Sequence, residues 1–212
     1  MAIIVMVYGQ SGTGKSTSLR NFKKDDVAVV NVNGKPMPFR GDLNIANSNS
    51  YEEIMRWLPL FPQQSIVIDD ATYLMTDEFM RTAKITGYQK FTDMALNFYH
   101  LIKDASRLPD DKIVYFLGHL EVDQNGTEKF KTIGKLLDEK ITLEGEFTIV
   151  LKTKVVDGKY YFCTQNSGSD TVKSPIGMFD QQYIENDLKA VDDKIREYYG
   201  IVRNVANEVE KN

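Results

Sequence analysis

The chain has 212 residues, 42% hydrophobic and 26% charged, which is enough apolar material for one sizeable core. A formal net charge of -4 excludes a surface that is cationic throughout, so any nucleic acid or other polyanion has to be met by a local patch. Cys163 is the only cysteine, which excludes an intrachain disulfide, and no apolar run is long enough to span a bilayer; a reducing cytoplasm is the expected compartment.

The first element is the apolar, β-branched run AIIVMVY at 2–8, a predicted buried strand. Directly behind it, Gly9, Gln10, Ser11, Gly12, Thr13, Gly14, Lys15 and Ser16 match G-x-x-x-x-G-K-[ST] in full, and STSLRNF reads as the start of a helix. Glycines at 9, 12 and 14 let the backbone turn tightly and aim successive amides inward, a nest for the β-phosphate of a nucleotide at the positive end of that helix. Lys15 would reach the β- and γ-phosphates, the Ser16 hydroxyl would ligate Mg²⁺, and Thr17 completes the cradle.

VAVVNV at 27–32 and SIVID at 65–69 are the next predicted strands, with the polar stretch GDLNIANSNSYEE at 41–53 reading as a surface loop before a helix. Near-continuous apolar strands predict a mainly parallel sheet covered on both faces. SIVIDD places Asp69 at a strand end, where it would hold Mg²⁺ through water, and Asp70 beside it as a candidate general base for the attacking water. Adjacent strand residues point to opposite faces, so a solvated Asp70 stays open. The segment from cap-like Thr76 or Asp77 to Pro109 has roughly helical spacing at Met94, Leu96, Phe98, Leu101 and Ile102 and predicts a crossover to the strand KIVYFLG at 112–118. His119 follows, where a polar group would sense a γ-phosphate; a histidine satisfying loop backbone is the alternative. The loop 123–140 carries Lys129, Lys131, Lys135 and Lys140, suited to a phosphate backbone, although its acidic residues also fit a plain solvated face.

EFTIVLKTKVV and KYYFCTQ flank Asp157-Gly158, a strong hairpin signal, so an antiparallel pair is expected at the end of the sheet, with Cys163 a buried strand residue. From 181 to 212, Ile184, Leu188, Val191, Ile195, Tyr198, Val202 and Val205 fall at alternating steps of four and three. That stripe predicts a C-terminal amphipathic helix appended to a core at 1–180, serving either a partner or the chain's own core.

These residues resemble the RecA-like P-loop ATPase core, and more narrowly the short phage ATP-binding proteins of the single-strand-annealing recombinase type. The likeness rests on Gly9–Ser16, on IVIDD, on YFLGHLE with its lysine-bearing loop, and on KYYFCTQNSGSDTVKSPIGMF, and covers roughly residues 2–180. It implies an α/β fold, ATP and Mg²⁺ as ligands, ATP hydrolysis, single-stranded DNA as partner in phage recombination or replication, and work in the host cytoplasm. It also implies that His119 links the γ-phosphate to DNA contacts at Lys129, Lys131 and Lys135. A homo-oligomer is implied in which Lys173 of TVKSP reaches a neighbour's nucleotide. One departure is Asn33, which stands where the family carries a catalytic glutamate; Asp70 takes that role, or ATP acts mainly as an assembly switch. The absence of arginine between Arg107 and Arg196 disfavours a phosphotransferase with an arginine-clamped lid, and the absence of an Asn-Lys-x-Asp sequence disfavours a GTPase. A P-loop kinase and a nucleotide-gated assembly module with little turnover are the competing readings.

Overall fold

The computed structural model describes residues 1–134 and 136–203. In chain order the strands are β1 (Ile3–Gly9), β2 (Val27–Asn31), β3 (Asn44–Asn47), β4 (Ser65–Asp69), β5 (Ile113–Val122), β6 (Glu128–Phe130), β7 (Ile149–Val156), β8 (Lys159–Cys163) and β9 (Tyr183–Glu185). The helices are α1 (Tyr51–Trp57), α2 (Thr72–Arg81), α3 (Gln89–Ser106) and α4 (Leu188–Tyr199). The strands form one mixed nine-stranded sheet of order β3-β2-β4-β5-β1-β7-β8-β9, with β6 pairing β5 off that path. From β3 through to β7 the neighbours are parallel. Pairs β5–β6, β7–β8 and β8–β9 are antiparallel.

All of β2 and β4 is buried, and so is β1 beyond Ile3, because successive side chains enter two different cores. Ile4, Met6 and Tyr8 point to one face with Ile66, Ile68 and Phe116, where Ile54, Leu74, Phe98 and Leu101 of α1, α2 and α3 cover them. Val5 and Val7 point to the other with Val29, Val67 and Leu117, beneath Leu188, Val191 and Ile195 of α4. The α/β architecture, the parallel centre and the antiparallel edge agree with the sequence-based expectation. Asp157 (φ 50°) and Gly158 (φ 74°) turn the hairpin between β7 and β8 with positive φ at both positions, as Asp-Gly predicts.

Several expectations need correction. The segment 41–53 is not all loop: Asn44–Asn47 adds a parallel edge strand to β2, and Ser50 caps α1 by accepting from the Glu53 amide. The crossover is two helices, and Thr76 and Asp77 lie inside α2 rather than at its cap. STSLRNF yields a single 3₁₀ turn, Ser16–Leu19. The reason is distance: at about 1.5 Å per residue an α-helix from Thr17 to Asp26 would span only about 15 Å, too little to return along the sheet and enter β2 at Val27. Strand β5 does not end before His119 but continues to Val122. The heptad stripe is interrupted as well: Ile184 sits in β9, and α4 ends at Gly200, whose φ of 67° makes a left-handed cap. Val205 lies outside the described residues.

Of the stripe, Leu188, Val191 and Ile195 are spent on the chain's own core, while Tyr198 and Val202 stay exposed. Asp192, fully buried, accepts from Tyr115 Oη at 2.9 Å, Ser65 Oγ at 2.7 Å and Arg196 Nε at 2.8 Å, which ties the helix to β4 and β5. Among the described residues no helix is long and apolar enough to cross a membrane.

Candidate nucleotide-binding site

Strand β5 lies between β1 and β4, so the carboxyl ends of three adjacent parallel strands meet at one edge of the sheet, where crevice ligands of such sheets bind. Gly9 stands opposite His119 in the β1–β5 register, and Asp69 ends β4. The Gly9–Ser16 segment, Asp69, Asp70 and His119 are thereby brought together, as the sequence predicts.

The glycines of the loop are required by geometry. A Cβ at Gly9 would meet Thr153 Oγ1 at 1.8 Å. Gly12 and Gly14 adopt φ of 78° and 94°, the left-handed region that other residues enter at a cost. Thr13 faces away from the cavity, donating to the Gln10 carbonyl at 2.7 Å and pairing with Thr153. Lys15 is 6% exposed; its ammonium donates to the carbonyls of Gly9 at 2.9 Å and Gln10 at 2.8 Å, curling over the loop. Burial lowers the Lys15 pKa against the pull of Asp70 and Asp69.

Ser16 Oγ donates to Asp69 Oδ1 at 3.0 Å, and the Asp70 amide donates to the same oxygen at 3.1 Å. Asp69 is 4% exposed. Burial and the neighbouring Asp70 carboxylate push its pKa up to about 6. A buried carboxylate next to a hydroxyl, with a lysine as its nearest cation, fits a hard divalent cation, so Ser16 and Asp69 are the residues that would hold Mg²⁺.

Asp70 follows β4 with φ of 60°, a strained value for a non-glycine residue. The strain is held from the next residue, whose amide donates to the Leu117 carbonyl of β5 at 2.7 Å. The turn aims the Asp70 side chain into the cavity instead of across the sheet, which resolves the alternative of a solvated acid. Asn33 Nδ2 donates to Asp70 Oδ2 at 2.7 Å, and His119 Nε2 lies 3.7 Å from Asp70 Oδ1. Burial and Lys15 lower the His119 pKa, so the imidazole is neutral near pH 7. Its ring stands edge-on to Tyr73 at 5.3 Å between centroids, and the Lys35 ammonium lies over the Tyr73 ring at 5.2 Å.

Together these groups enclose a cavity of about 370 Å³ lined by Ser11, Gly12, Gly14, Lys15, Ser16, Thr17, Lys35, Asp70, Tyr73, His119 and Tyr160. Lys35, Tyr73 and Tyr160 carry no motif and reach the site only through the fold; an aromatic beside a hairpin is the sole hint the sequence holds. Of the predicted nucleic-acid lysines, Lys131 is exposed, borders an adjoining cavity with His119, and its amide donates to the His119 carbonyl at 2.8 Å. Lys129 pairs with Glu121 at 3.6 Å. Lys135 lies outside the described residues. Lys173 does not line the cavity of its own chain: its backbone pairs with Val150 beside β7, and its ammonium feels Glu144.

No protein-family model matches the chain, and none of the curated proteins does.

Proposed function

We propose that this chain is a RecA-like P-loop ATPase that binds Mg²⁺·ATP and acts on single-stranded DNA in phage recombination or replication, as an oligomer. The observation that carries the reading is the meeting of Ser16 and Asp69 at 3.0 Å beside a cavity of about 370 Å³ walled by Lys15, Gly12 and Gly14. Mg²⁺, when bound, supplies positive charge at the β- and γ-phosphates. The Lys15 ammonium, now resting on two neutral carbonyls, exchanges them for anionic oxygens, which are stronger partners. The glycine-bearing backbone supplies amide donors to the same oxygens.

Asn33 cannot take a proton, but its amide orients Asp70. Asp70 then accepts a proton from the attacking water as the water oxygen bonds to the γ-phosphorus and the bridging bond to the β-phosphate breaks. Neutral His119 is within reach of Asp70 and of the γ-phosphate end of the cavity, and its carbonyl holds the Lys131 amide. Loss of the terminal phosphate would thus be felt one hydrogen bond away from the lysine hairpin.

The test is phosphate release from Mg²⁺·ATP with and without single-stranded DNA at several salt concentrations. Stimulation that fades as salt rises supports the reading, because phosphate contacts are salt-dependent. A Lys129→Ala, Lys131→Ala double variant is expected to lose most of that stimulation. ATP binding with no phosphate release under any condition would replace hydrolysis by nucleotide-gated assembly.

A further inference from the structure

A second cavity of about 560 Å³ adjoins the first, and both are lined by Thr17 and Tyr160. Asp70 and His119 mark the γ-phosphate end of the first cavity, so a triphosphate laid along it directs its nucleoside past Thr17 into the second. An unsatisfied amide borders that space. Asn186 is 2% exposed, and neither its Oδ1 nor its Nδ2 has a hydrogen-bond partner. Buried polar groups are nearly always paired, so a side chain with both ends unpaired points to a ligand not yet in place.

Three further features support this. The Asn186 backbone is pinned, its amide donating to the Tyr160 carbonyl at 3.2 Å and its carbonyl accepting from Arg20. Both side chains press on the P-loop: a Cβ at Gly14 would meet Asn186 Oδ1 at 2.8 Å and Tyr160 Cδ1 at 3.0 Å. Tyr160 is half exposed, leaving ring surface for stacking. The Asn186 amide has no hydrogen bond to break when a ligand draws it from Gly14 toward the cavity.

We propose that Tyr160 and Asn186 form the nucleobase subsite, Tyr160 stacking on a purine and Asn186 reading the N6/N7 edge of adenine. An amide offers an acceptor and a donor side by side, matching the adenine amino group and N7; guanine shows two acceptors on that edge. This rests on the reading of the P-loop as a nucleotide site.

The experiment measures dissociation constants of Mg²⁺ complexes of ATP, GTP and 7-deaza-ATP for wild type, Asn186→Ala and Tyr160→Ala, with the unfolding midpoint of each as a folding control. Wild type is expected to favour ATP over GTP and over 7-deaza-ATP by about tenfold or more. In Asn186→Ala both preferences collapse towards one, and Tyr160→Ala weakens ATP and GTP alike by about tenfold. A folded Asn186→Ala protein that keeps the wild-type ratios overturns the proposal while leaving the phosphate cradle standing. Failure of wild type to bind any of the three nucleotides, or inorganic pyrophosphate measured directly, brings down the cradle reading and this proposal together.

Discussion

Replacing Asp69 by asparagine separates the demands of folding from those of metal binding. The Asp69 carboxyl titrates at about 6 in the folded chain against 3.8 in the open one, because burial and Asp70 disfavour its charge. Between those values the folded state binds the extra proton, so this group's contribution to stability is intact below pH 3.8 and is lost as pH rises through 6. At 1.36 kcal/mol per unit, the full loss above pH 7 is about 3 kcal/mol. The substituted amide would carry no charge and would still offer an oxygen to Ser16 and to the Asp70 amide. Asp69→Asn is therefore expected to stabilise the metal-free protein at pH 8 by about 1–3 kcal/mol, roughly 2–9 °C in Tm for a chain of this size, while abolishing the stabilisation conferred by Mg²⁺ and ATP. The assay is thermal and urea unfolding in chelator at pH 8 and pH 4, repeated with Mg²⁺·ATP. A gain that is absent at pH 8, or equally large at pH 4, would refute the assignment of Asp69 as a buried, metal-awaiting carboxylate.

Asp70→Asn keeps the acceptor oxygen but not the base, so phosphate release should fall about 10²- to 10⁴-fold while ATP affinity stays within a few fold; single-turnover and equilibrium measurements separate the two. Ile195→Ala opens a cavity under α4, in the core that also holds Val5 and Leu151, and should cost about 2–5 kcal/mol. Unfolding at several protein concentrations checks this, since a loss that vanishes on dilution would assign the helix to an intermolecular seam.

The turn of Gly9–Ser16 was legible because its backbone requirements are local: eight contiguous residues, with glycines at 12 and 14 where φ is positive. Asp69 was legible because a strand end followed by an acid places the carboxylate at the sheet's edge. Asp70 was only half so, since its direction depends on a strained turn that Leu117, a residue of another strand, holds in place. The 3₁₀ turn after the P-loop was hidden because helical spacing says nothing about how far the chain must return. Edge strand β3 reads as a loop since Asn44–Asn47 is short, bounded by asparagines and only alternately covered. The burial of Asp192 and Arg196 follows from Ser65 and Tyr115, which no local pattern announces. Tyr160 and Asn186 sit at the P-loop through the β8–β9 pairing, a contact between residues far apart in the chain.

The central claim is tested most directly by titrating Mg²⁺·ATP into the wild-type chain and into Lys15→Ala, with folding verified for both. Exchange of two neutral carbonyls for phosphate oxygens makes the lysine worth about 10- to 100-fold in affinity, lost in the variant and diminished by omitting Mg²⁺. Equal affinity of the two proteins, with or without the metal, would contradict it.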